Sequence, residues 1–153
     1  MKIIYIHQYF KSPKEGGAIR SYYLAKAFTE AGCKVEMITA HNSKYYLKKN
    51  IDGISVHYIP VFYDNSFGFY KRIYAFSKFL FLTLRYSGKI KADYCYATST
   101  PLSVGIIALW LKFKHKIPYY FEVRDLWPEA PIALGFLKSP WLIKAARFLE
   151  KKI

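Results

Sequence analysis

The stretch from Tyr119 to Pro131 reads YYFEVRDLWPEAP, and it is the part of the sequence that decides the fold class. An apolar run that begins after Pro118 stops at Glu122, and Arg124 and Asp125 then lead into a Trp-Pro step and a second carboxylate. This pattern predicts a strand that ends in a polar loop. In open α/β sheets, ligands bind beyond the carboxyl ends of the strands, so charge in this loop is placed where substrate contacts are made.

That loop supplies four candidate site residues, for which a purely structural interpretation also exists. Arg124, Asp125, Trp127 and Glu129 follow Glu122 with almost no ordinary loop filler between them, which favours ligand binding. The alternative is a salt bridge at the end of the strand, between Arg124 and either Asp125 or Glu129. Such exposed pairs are common at protein surfaces and contribute little to stability.

The amino-terminal segment shows the same change from strand to loop. Residues 3–6 form an apolar run typical of a buried parallel strand, the following loop ends in Gly16-Gly17, and a helical apolar stripe runs from Ala18 to Ala31. The amino terminus of such a helix can bind an anion, although paired glycines can also serve only a tight turn. The G-x-G-x-x-G spacing is absent, which disfavours NAD. Arg20 opposes the helix dipole, so we expect an acidic side chain or a phosphate as its partner, a solvated side chain being the alternative.

The rest of the sequence continues the alternation of strands and helices. It predicts a strand at 34–39, a hairpin at 45–59 that turns at Asp52-Gly53, a strand at 93–97, a helix from Pro101 to about Lys114 that Thr100 caps, and a final helix that begins at Ser139-Pro140. Regular β-α alternation implies right-handed crossovers. The predicted fold class is therefore α/β: one Rossmann-like domain over residues 1–153, doubly wound, with a mainly parallel sheet and helices on both faces.

Composition narrows the possible partners. The formal net charge is +14, with 53% hydrophobic and 20% aromatic residues, which excludes a disordered chain and indicates attraction to anions such as nucleic acid, acidic lipid or phosphorylated substrates. The sequence has no zinc-finger spacing, helix-turn-helix pair or RNP-like strand, so we expect no nucleic-acid partner. It also has no Ser-His-Asp set, metal-ligand cluster or P-loop, which argues against a self-contained hydrolase or kinase.

Several smaller features favour a reducing, cytoplasmic location. Cys33 and Cys95 lie far apart beside or within predicted strands and are expected to be buried thiols. No secretory leader follows Met1, and the uncharged stretch at 94–111 is divided by polar residues and too short to span a bilayer. His41 and His57 have no Cys or His at ligand spacing, and we interpret both as structural.

The segment from Asn65 to Ser87 has two interpretations. It combines twelve large apolar residues with Lys71, Arg72, Lys78 and Arg85, and all of its formal charges are positive. At helical period the apolar residues cover more than a stripe facing the core requires. A helix that packs on the sheet with one side and contacts a membrane surface with another would have this composition. A strongly aromatic core helix would account for much of it as well.

The motif EVRDLWPE at 122–129, together with HQYF at 7–10, Gly16-Gly17 and Arg20, resembles bacterial family-4 glycosyltransferases. The resemblance is to the branch that builds surface polysaccharides, including the fucosamine transferases of O-antigen synthesis, and it covers the amino-terminal half of such an enzyme. It implies a GT-B architecture in which this domain binds the acceptor and a second domain, outside this chain, binds the nucleotide-sugar. One departure is Ser12-Pro13-Lys14-Glu15, where relatives have a Pro-Pro-Glu or Tyr-Pro-Asp type of loop.

The resemblance also implies a reaction and its partners. Retaining transfer from a nucleotide-sugar donor to an undecaprenyl-diphosphate-linked saccharide is expected, with no metal or other cofactor, at the inner face of the plasma membrane. Arg124 and Asp125 would be catalytic, near the transferred sugar, and Gly16 and Gly17 would face the diphosphate. The remaining substrate-binding candidates are Arg20, Thr100, Trp127 and Glu129.

Two hypotheses therefore remain open. In the first, this chain is the acceptor-binding half of a sugar transferase, which folds but does not catalyse transfer alone. In the second, it is a non-catalytic Rossmann-like module that binds anionic lipid or another polyanion through charge, as its +14 balance would allow.

Overall fold

A computed structural model describes residues 1–17, 19–99, 101–135 and 137–153. Strands and helices alternate along most of the chain, because short apolar runs are followed by longer amphipathic segments. The elements are β1 (Lys2–Ile6), α1 (Arg20–Glu30), β2 (Lys34–His41), β3 (Leu47–Ile51), β4 (Ile54–Pro60), α2 (Phe69–Ser87), β5 (Tyr94–Thr98), α3 (Ser103–His115), β6 (Tyr119–Glu122), α4 (Glu129–Ala133) and α5 (Pro140–Lys152).

The strands form one six-stranded sheet in the order β3-β4-β2-β1-β5-β6. Every neighbouring pair is parallel except β3 and β4, which form an antiparallel hairpin. Asp52 and Gly53 make its turn with φ of 49° and 87°, the left-handed backbone that Asp-Gly sequences tolerate. The hairpin and the α/β fold class predicted from the sequence are both confirmed.

Helices cover both faces of this sheet. On one face, α1 packs through Tyr22 and Ala25 against Tyr5, Met37 and neighbouring side chains of the strands. On the other face, α2 and α3 pack against alternate residues of the same strands, which include Ile4, Ile6, Ile38, Cys95 and Ala97. Because successive side chains of a strand point to opposite faces, the continuous apolar runs of the sequence serve both layers. The loops after the carboxyl ends of β1, β5 and β6 carry polar residues, among them His7, Ser99 and Arg124.

Two helix starts differ from the sequence prediction, and a third agrees with it. Helix α1 begins at Arg20, so this arginine is the first residue of the helix rather than one turn inside it; Ala18 lies outside the described residues. Helix α3 begins at Ser103 after Leu102, so Pro101 is not its first residue, and the predicted cap Thr100 also lies outside the described residues. Helix α5 begins at Pro140 as predicted.

Two further features bear on the expectations from composition. Cys95 is buried and its pKa is raised to about 12 by that burial, whereas Cys33 is only partly buried, which corrects the prediction for that residue. Within the described ranges, none of the helices combines the length and the apolar content that crossing a bilayer requires.

Candidate functional site at the carboxyl edge of the sheet

Three neighbouring strands, β1, β5 and β6, end side by side and bring their polar loops together. His7 follows β1, Ser99 follows β5, and Glu122 is the last residue of β6. The backbone N–H of Ser99 donates to the carbonyl of Glu122 at 2.8 Å, and the N–H of Arg124 donates to the Ser99 hydroxyl at 2.7 Å. The loop that carries the EVRD motif is therefore fixed to the loop after β5.

Arg20 finds its partner in this loop cluster. Its Nη2 lies 2.6 Å from Glu122 Oε1, and the other carboxylate oxygen of Glu122 accepts a hydrogen bond from Thr98 Oγ1 at 3.0 Å. The Glu122 side chain is only 11% exposed, whereas that of Arg20 is 68% exposed. The expectation of a partner for Arg20 is confirmed in its acidic form, and the pair joins α1 to β6.

His7 is buried between α1 and the Arg124 side chain. Its Nε2 lies 3.3 Å from Arg124 Nη1, and its Nδ1 lies 2.8 Å from Ser21 Oγ. A guanidinium only donates hydrogen bonds, so Nε2 must accept, and the ring proton is therefore assigned to Nδ1, which donates to Ser21. Burial, and then the positive charge of Arg124, lower the pKa of His7 to about 4. His7 is thus a neutral hydrogen-bond acceptor for an arginine at pH 7.

Tyr5 connects the two arginines through its hydroxyl group. Ser21 and Thr98 both hydrogen-bond to this phenol, with Thr98 Oγ1 at 3.4 Å from Tyr5 Oη, and burial raises the pKa of the phenol. A continuous set of polar side chains therefore runs from one guanidinium to the other. We call it the edge network, and its members are Arg124, His7, Ser21, Tyr5, Thr98, Glu122 and Arg20.

Asp125 and Trp127, two of the predicted site residues, line a cavity beside the edge network. This Trp127 cavity has a volume of about 190 Å³, and its wall also includes Ser99 from the loop after β5 and Glu150 and Ile153 from the carboxyl-terminal segment. Most of the wall is apolar, with two aromatic rings and three aliphatic side chains, and two carboxylates and a hydroxyl complete it. A larger hollow of about 470 Å³ lies along α5, but side chains of that single helix line it, so it is an open surface groove.

Glu129 lies elsewhere. Its carboxylate accepts two hydrogen bonds from Arg147 of α5, at 2.9 and 3.3 Å, in an exposed ion pair. The alternative salt bridge between Arg124 and Glu129 is therefore wrong, because Arg147 occupies the carboxylate. Its place in this ion pair gives Glu129 a structural contact, and its predicted role in substrate binding stays a prediction.

Gly16 and Gly17 form the exposed end of the loop that leads into α1. Their φ angles of 69° and 90° lie in the left-handed region, where a side chain would be strained. Within the described residues no hydrogen bond joins either glycine to Arg124; the hydrogen bonds and ion pair that link this segment to the site come from Arg20 and Ser21. Thr100, also predicted to bind substrate, lies outside the described residues.

Six residues of this site were not among the predicted site residues: Tyr5, His7, Ser21, Thr98, Ser99 and Glu122. Each lies at or next to the carboxyl end of a strand or in the first turn of the following helix, the positions that the topology of open α/β sheets marks for ligand contacts. A search of these positions could have found them. In the described part of the chain, no three His, Cys, Asp or Glu side chains are grouped so that they could hold a metal ion.

The fold and this edge define a Rossmann-like α/β domain whose polar loops converge at one rim. The chain belongs to the glycosyl transferase 4-like domain family, whose model matches residues 15–153. The resemblance to family-4 glycosyltransferases is thereby confirmed at the level of the family, and the assignment to the O-antigen branch stays a prediction.

A solved structure of sucrose-phosphate synthase from Thermosynechococcus elongatus has a similar fold, with a TM-score of 0.65 at 15% sequence identity. The similarity covers 99% of this chain and 39% of the synthase chain, so this chain spans well under half the length of that protein. The match supports the GT-B type of Rossmann-like fold. Comparison with curated protein sequences found no significant match.

Proposed function

We propose that this chain is the acceptor-binding half of a retaining glycosyltransferase that moves a sugar from a nucleotide-sugar to a lipid-diphosphate-linked saccharide in surface polysaccharide synthesis. Membership of the glycosyl transferase 4-like family supports the reaction class. The observation that carries the proposal is the edge network, in which buried partners hold Arg20 and Arg124 at one rim. Two guanidinium groups so placed suit a ligand that carries a diphosphate.

In this proposal the reaction breaks the bond between the anomeric carbon and the donor diphosphate, and forms a bond from that carbon to the acceptor oxygen on the same face. The proton of the acceptor hydroxyl passes to the departing diphosphate. Arg124 donates hydrogen bonds to the oxygens on which negative charge develops, which is the usual electrostatic contribution of a fixed cation. Asp125 accepts from a sugar hydroxyl, and Trp127 offers its ring to the apolar face of a sugar in the adjacent cavity. These roles require no metal, and the nucleotide-sugar is held by a second domain.

Contact with a membrane is part of this proposal, and α2 is the surface that supports it. The side of α2 that packs on the sheet consists mainly of Ala75, Phe79, Thr83 and Ser87. A second side is exposed and carries large aromatic and basic side chains on one helical stripe: Tyr70, Tyr74, Lys78, Phe81 and Arg85. Core packing therefore does not account for these aromatics. Basic and aromatic residues on one exposed helix face suit an anionic bilayer surface.

Flotation with liposomes that contain anionic lipid tests the membrane contact. Neutralising Lys71, Lys78 and Arg85 by glutamine should lower the membrane partition coefficient by about 100-fold, at roughly 1 kcal/mol per charge near the surface. Arg72 is left intact because it donates to the carbonyls of Asn65 and Phe67 and so fixes the loop before α2. The matched control removes three exposed lysines from other elements, Lys34, Lys44 and Lys49. Equal losses in both variants would mean that net charge alone drives binding, as in a general polyanion-binding module.

Acceptor binding separates the two candidate functions. The chain should bind a polyprenyl-diphosphate-linked saccharide in detergent, and Arg124→Ala should lose that binding while liposome flotation stays unchanged. Binding that depends only on the α2 charges would instead favour a non-catalytic lipid-binding module. Transfer activity should be absent from residues 1–153 alone, and measurable turnover by this chain would contradict its assignment as an acceptor half.

A further inference from the structure

We infer that His7 is a positioning residue for Arg124: a buried imidazole, held by Ser21, accepts a hydrogen bond from the guanidinium and so fixes its direction toward the substrate. The contacts are His7 Nδ1 to Ser21 Oγ at 2.8 Å and His7 Nε2 to Arg124 Nη1 at 3.3 Å. His7 and Ser21 are only 2% and 1% exposed, so bulk water does not compete for the hydrogen bond between them. The inference rests on the proposed function of Arg124.

The charge of the group that accepts the hydrogen bond from Arg124 matters as much as its position. Arg20 is held by the carboxylate of Glu122, which offsets its charge, whereas the imidazole that holds Arg124 is neutral. The His7–Arg124 pair therefore keeps a net charge of +1, and the remaining N–H groups of the guanidinium stay available to an anionic ligand. A carboxylate in place of His7 would fix the same guanidinium and cancel its charge at once.

A direct part for His7 in proton transfer does not fit this geometry. Its Nε2 lone pair is occupied by Arg124, and its Nδ1 proton is donated to Ser21. A general base needs a free lone pair within reach of the proton that it removes. His7 consequently acts through Arg124, and Ser21 extends the arrangement into the first turn of α1.

The test uses the longer protein that joins this chain to its nucleotide-sugar half and compares three substitutions. His7→Leu removes the acceptor, His7→Gln offers a neutral amide oxygen near the position of Nε2, and His7→Glu offers a charged one. We expect kcat/KM for transfer to fall about 10- to 100-fold in His7→Leu and in His7→Glu, and to stay within about fivefold in His7→Gln. If activity instead follows the unfolding midpoints of the three variants, His7 has only a structural role and the inference is wrong.

A double-mutant cycle with Arg124→Ala supplies the decisive comparison. Because His7 acts through Arg124, His7→Leu should add less than about twofold to the loss already caused by Arg124→Ala. Additive losses would overturn the inference.

Nitrogen NMR of the histidine side chains provides a readout that does not depend on activity. His7 should carry its proton on Nδ1 at pH 7 in the wild-type chain, and Arg124→Ala should perturb the Nε2 resonance. A proton on Nε2 would contradict the inference even if transfer is never detected. Absence of transfer with the expected tautomer would count against the proposed function and leave the His7–Arg124 contact in place.

Discussion

Two buried histidines, His7 and His57, lie in polar networks at different parts of the same sheet, and their partners are opposite in charge. The Nε2 of His7 faces the Arg124 guanidinium, whereas the Nε2 of His57 lies 2.6 Å from Glu36 Oε2. Because a carboxylate only accepts, His57 must carry its proton on Nε2, and its Nδ1 accepts from the Tyr46 hydroxyl at 2.6 Å. The two rings are therefore opposite tautomers.

The second group, which we call the Glu36 network, consists of Glu36, His57, Tyr46, Lys2 and Lys48. Lys2 and Lys48 reach the Glu36 carboxylate at 3.1 and 3.5 Å. Burial alone would raise the pKa of Glu36, but its bonds to His57 and Lys2 outweigh burial and lower that pKa to about 2. Burial lowers the pKa of His57 although Glu36 opposes that shift. In this network the N–H donors of Lys2, Lys48 and His57 all face the carboxylate of Glu36.

The comparison shows how one type of residue serves two purposes. In the Glu36 network, toward the amino ends of β1 and β2, both lysines lie within 3.5 Å of the Glu36 carboxylate, so each cation is paired inside the protein and the network contributes to stability. In the edge network a neutral histidine holds a cation at the carboxyl edge, so positive charge is left for a ligand. We therefore expect substitutions in the first group to act on unfolding and substitutions in the second to act on transfer.

The largest expected effect is that of Arg124→Ala on catalysis. In the proposed two-domain transferase, kcat should fall about 100- to 1,000-fold, as when a preorganised donor to developing charge is removed. The thermal midpoint should change by less than about 3 °C, because Arg124 is partly exposed and contributes no core packing. Steady-state kinetics and a melting curve on the same preparation check this. An unchanged kcat would contradict the assignment of the edge network to transfer.

The second-largest expected effect is the contribution of His7 to the pH dependence of the free energy of unfolding. In the unfolded chain a histidine binds its proton below about pH 6.5, whereas folded His7 stays neutral down to about pH 4. The unfolded state therefore binds the extra proton, and the contribution of His7 is complete above pH 6.5 and lost as the pH falls to 4. Its size is about 3 kcal/mol.

Urea titrations at pH 7.0 and 4.5 measure this dependence in the wild type and in His7→Gln. The variant should lose most of the difference that His7 causes, while the share of His57, whose pKa is also lowered, remains. An identical pH dependence in both proteins would show that His7 is not held neutral.

Glu36→Ala should lower the free energy of unfolding by about 2 kcal/mol, less than for a fully buried pair because Lys2 and Lys48 can return to solvent. The folded pKa of Glu36 is depressed, so its contribution is present above about pH 4.5 and lost as the pH falls toward 2. The variant should therefore differ from wild type at pH 6 and converge with it near pH 2. As a control, Glu30→Ala removes an exposed pair with Lys26 at 3.9 Å and should cost less than about 0.5 kcal/mol. Equal costs at both positions would mean that Glu36 is not a buried anchor.

Tyr46→Phe is expected to have the smallest effect. It removes the hydrogen bond to His57 Nδ1 and keeps the ring that stacks on Tyr86 with a centroid distance of 4.9 Å. The free energy of unfolding should fall by about 0.5–1 kcal/mol in a denaturant titration. Transfer kinetics should not change. An effect on kcat larger than about twofold would contradict the claim that the Glu36 network acts only on stability.

Much of the fold follows from local sequence signals. Apolar runs of four to eight residues, the Asp52-Gly53 turn and Ser139-Pro140 each determine a nearby element, so strands, hairpin and final helix could be predicted one at a time. The precise starts of α1 and α3 could not, because each of these helices begins two residues after the position that the sequence pattern favours.

The site could be predicted only as a region. Arg124 and His7 are 117 positions apart, and their contact depends on the order β1-β5-β6 and on the register of the strands, which no local pattern specifies. The ion pair of Glu129 with Arg147 of α5 likewise depends on packing that no local pattern specifies, and the predicted role of Glu129 in substrate binding stays a prediction. The exposed aromatics of α2 were also ambiguous until packing showed which side of the helix meets the sheet.

The claim that the carboxyl edge holds the ligand is tested most directly by acceptor affinity. Isothermal titration of a polyprenyl-diphosphate-linked saccharide into wild type, Arg124→Ala and Tyr46→Phe compares the two networks in one experiment. We predict that Kd rises at least about tenfold in Arg124→Ala, since a charged hydrogen bond of about 1.5–3 kcal/mol is lost, and stays within about twofold of wild type in Tyr46→Phe. The same Kd for all three proteins would contradict the account.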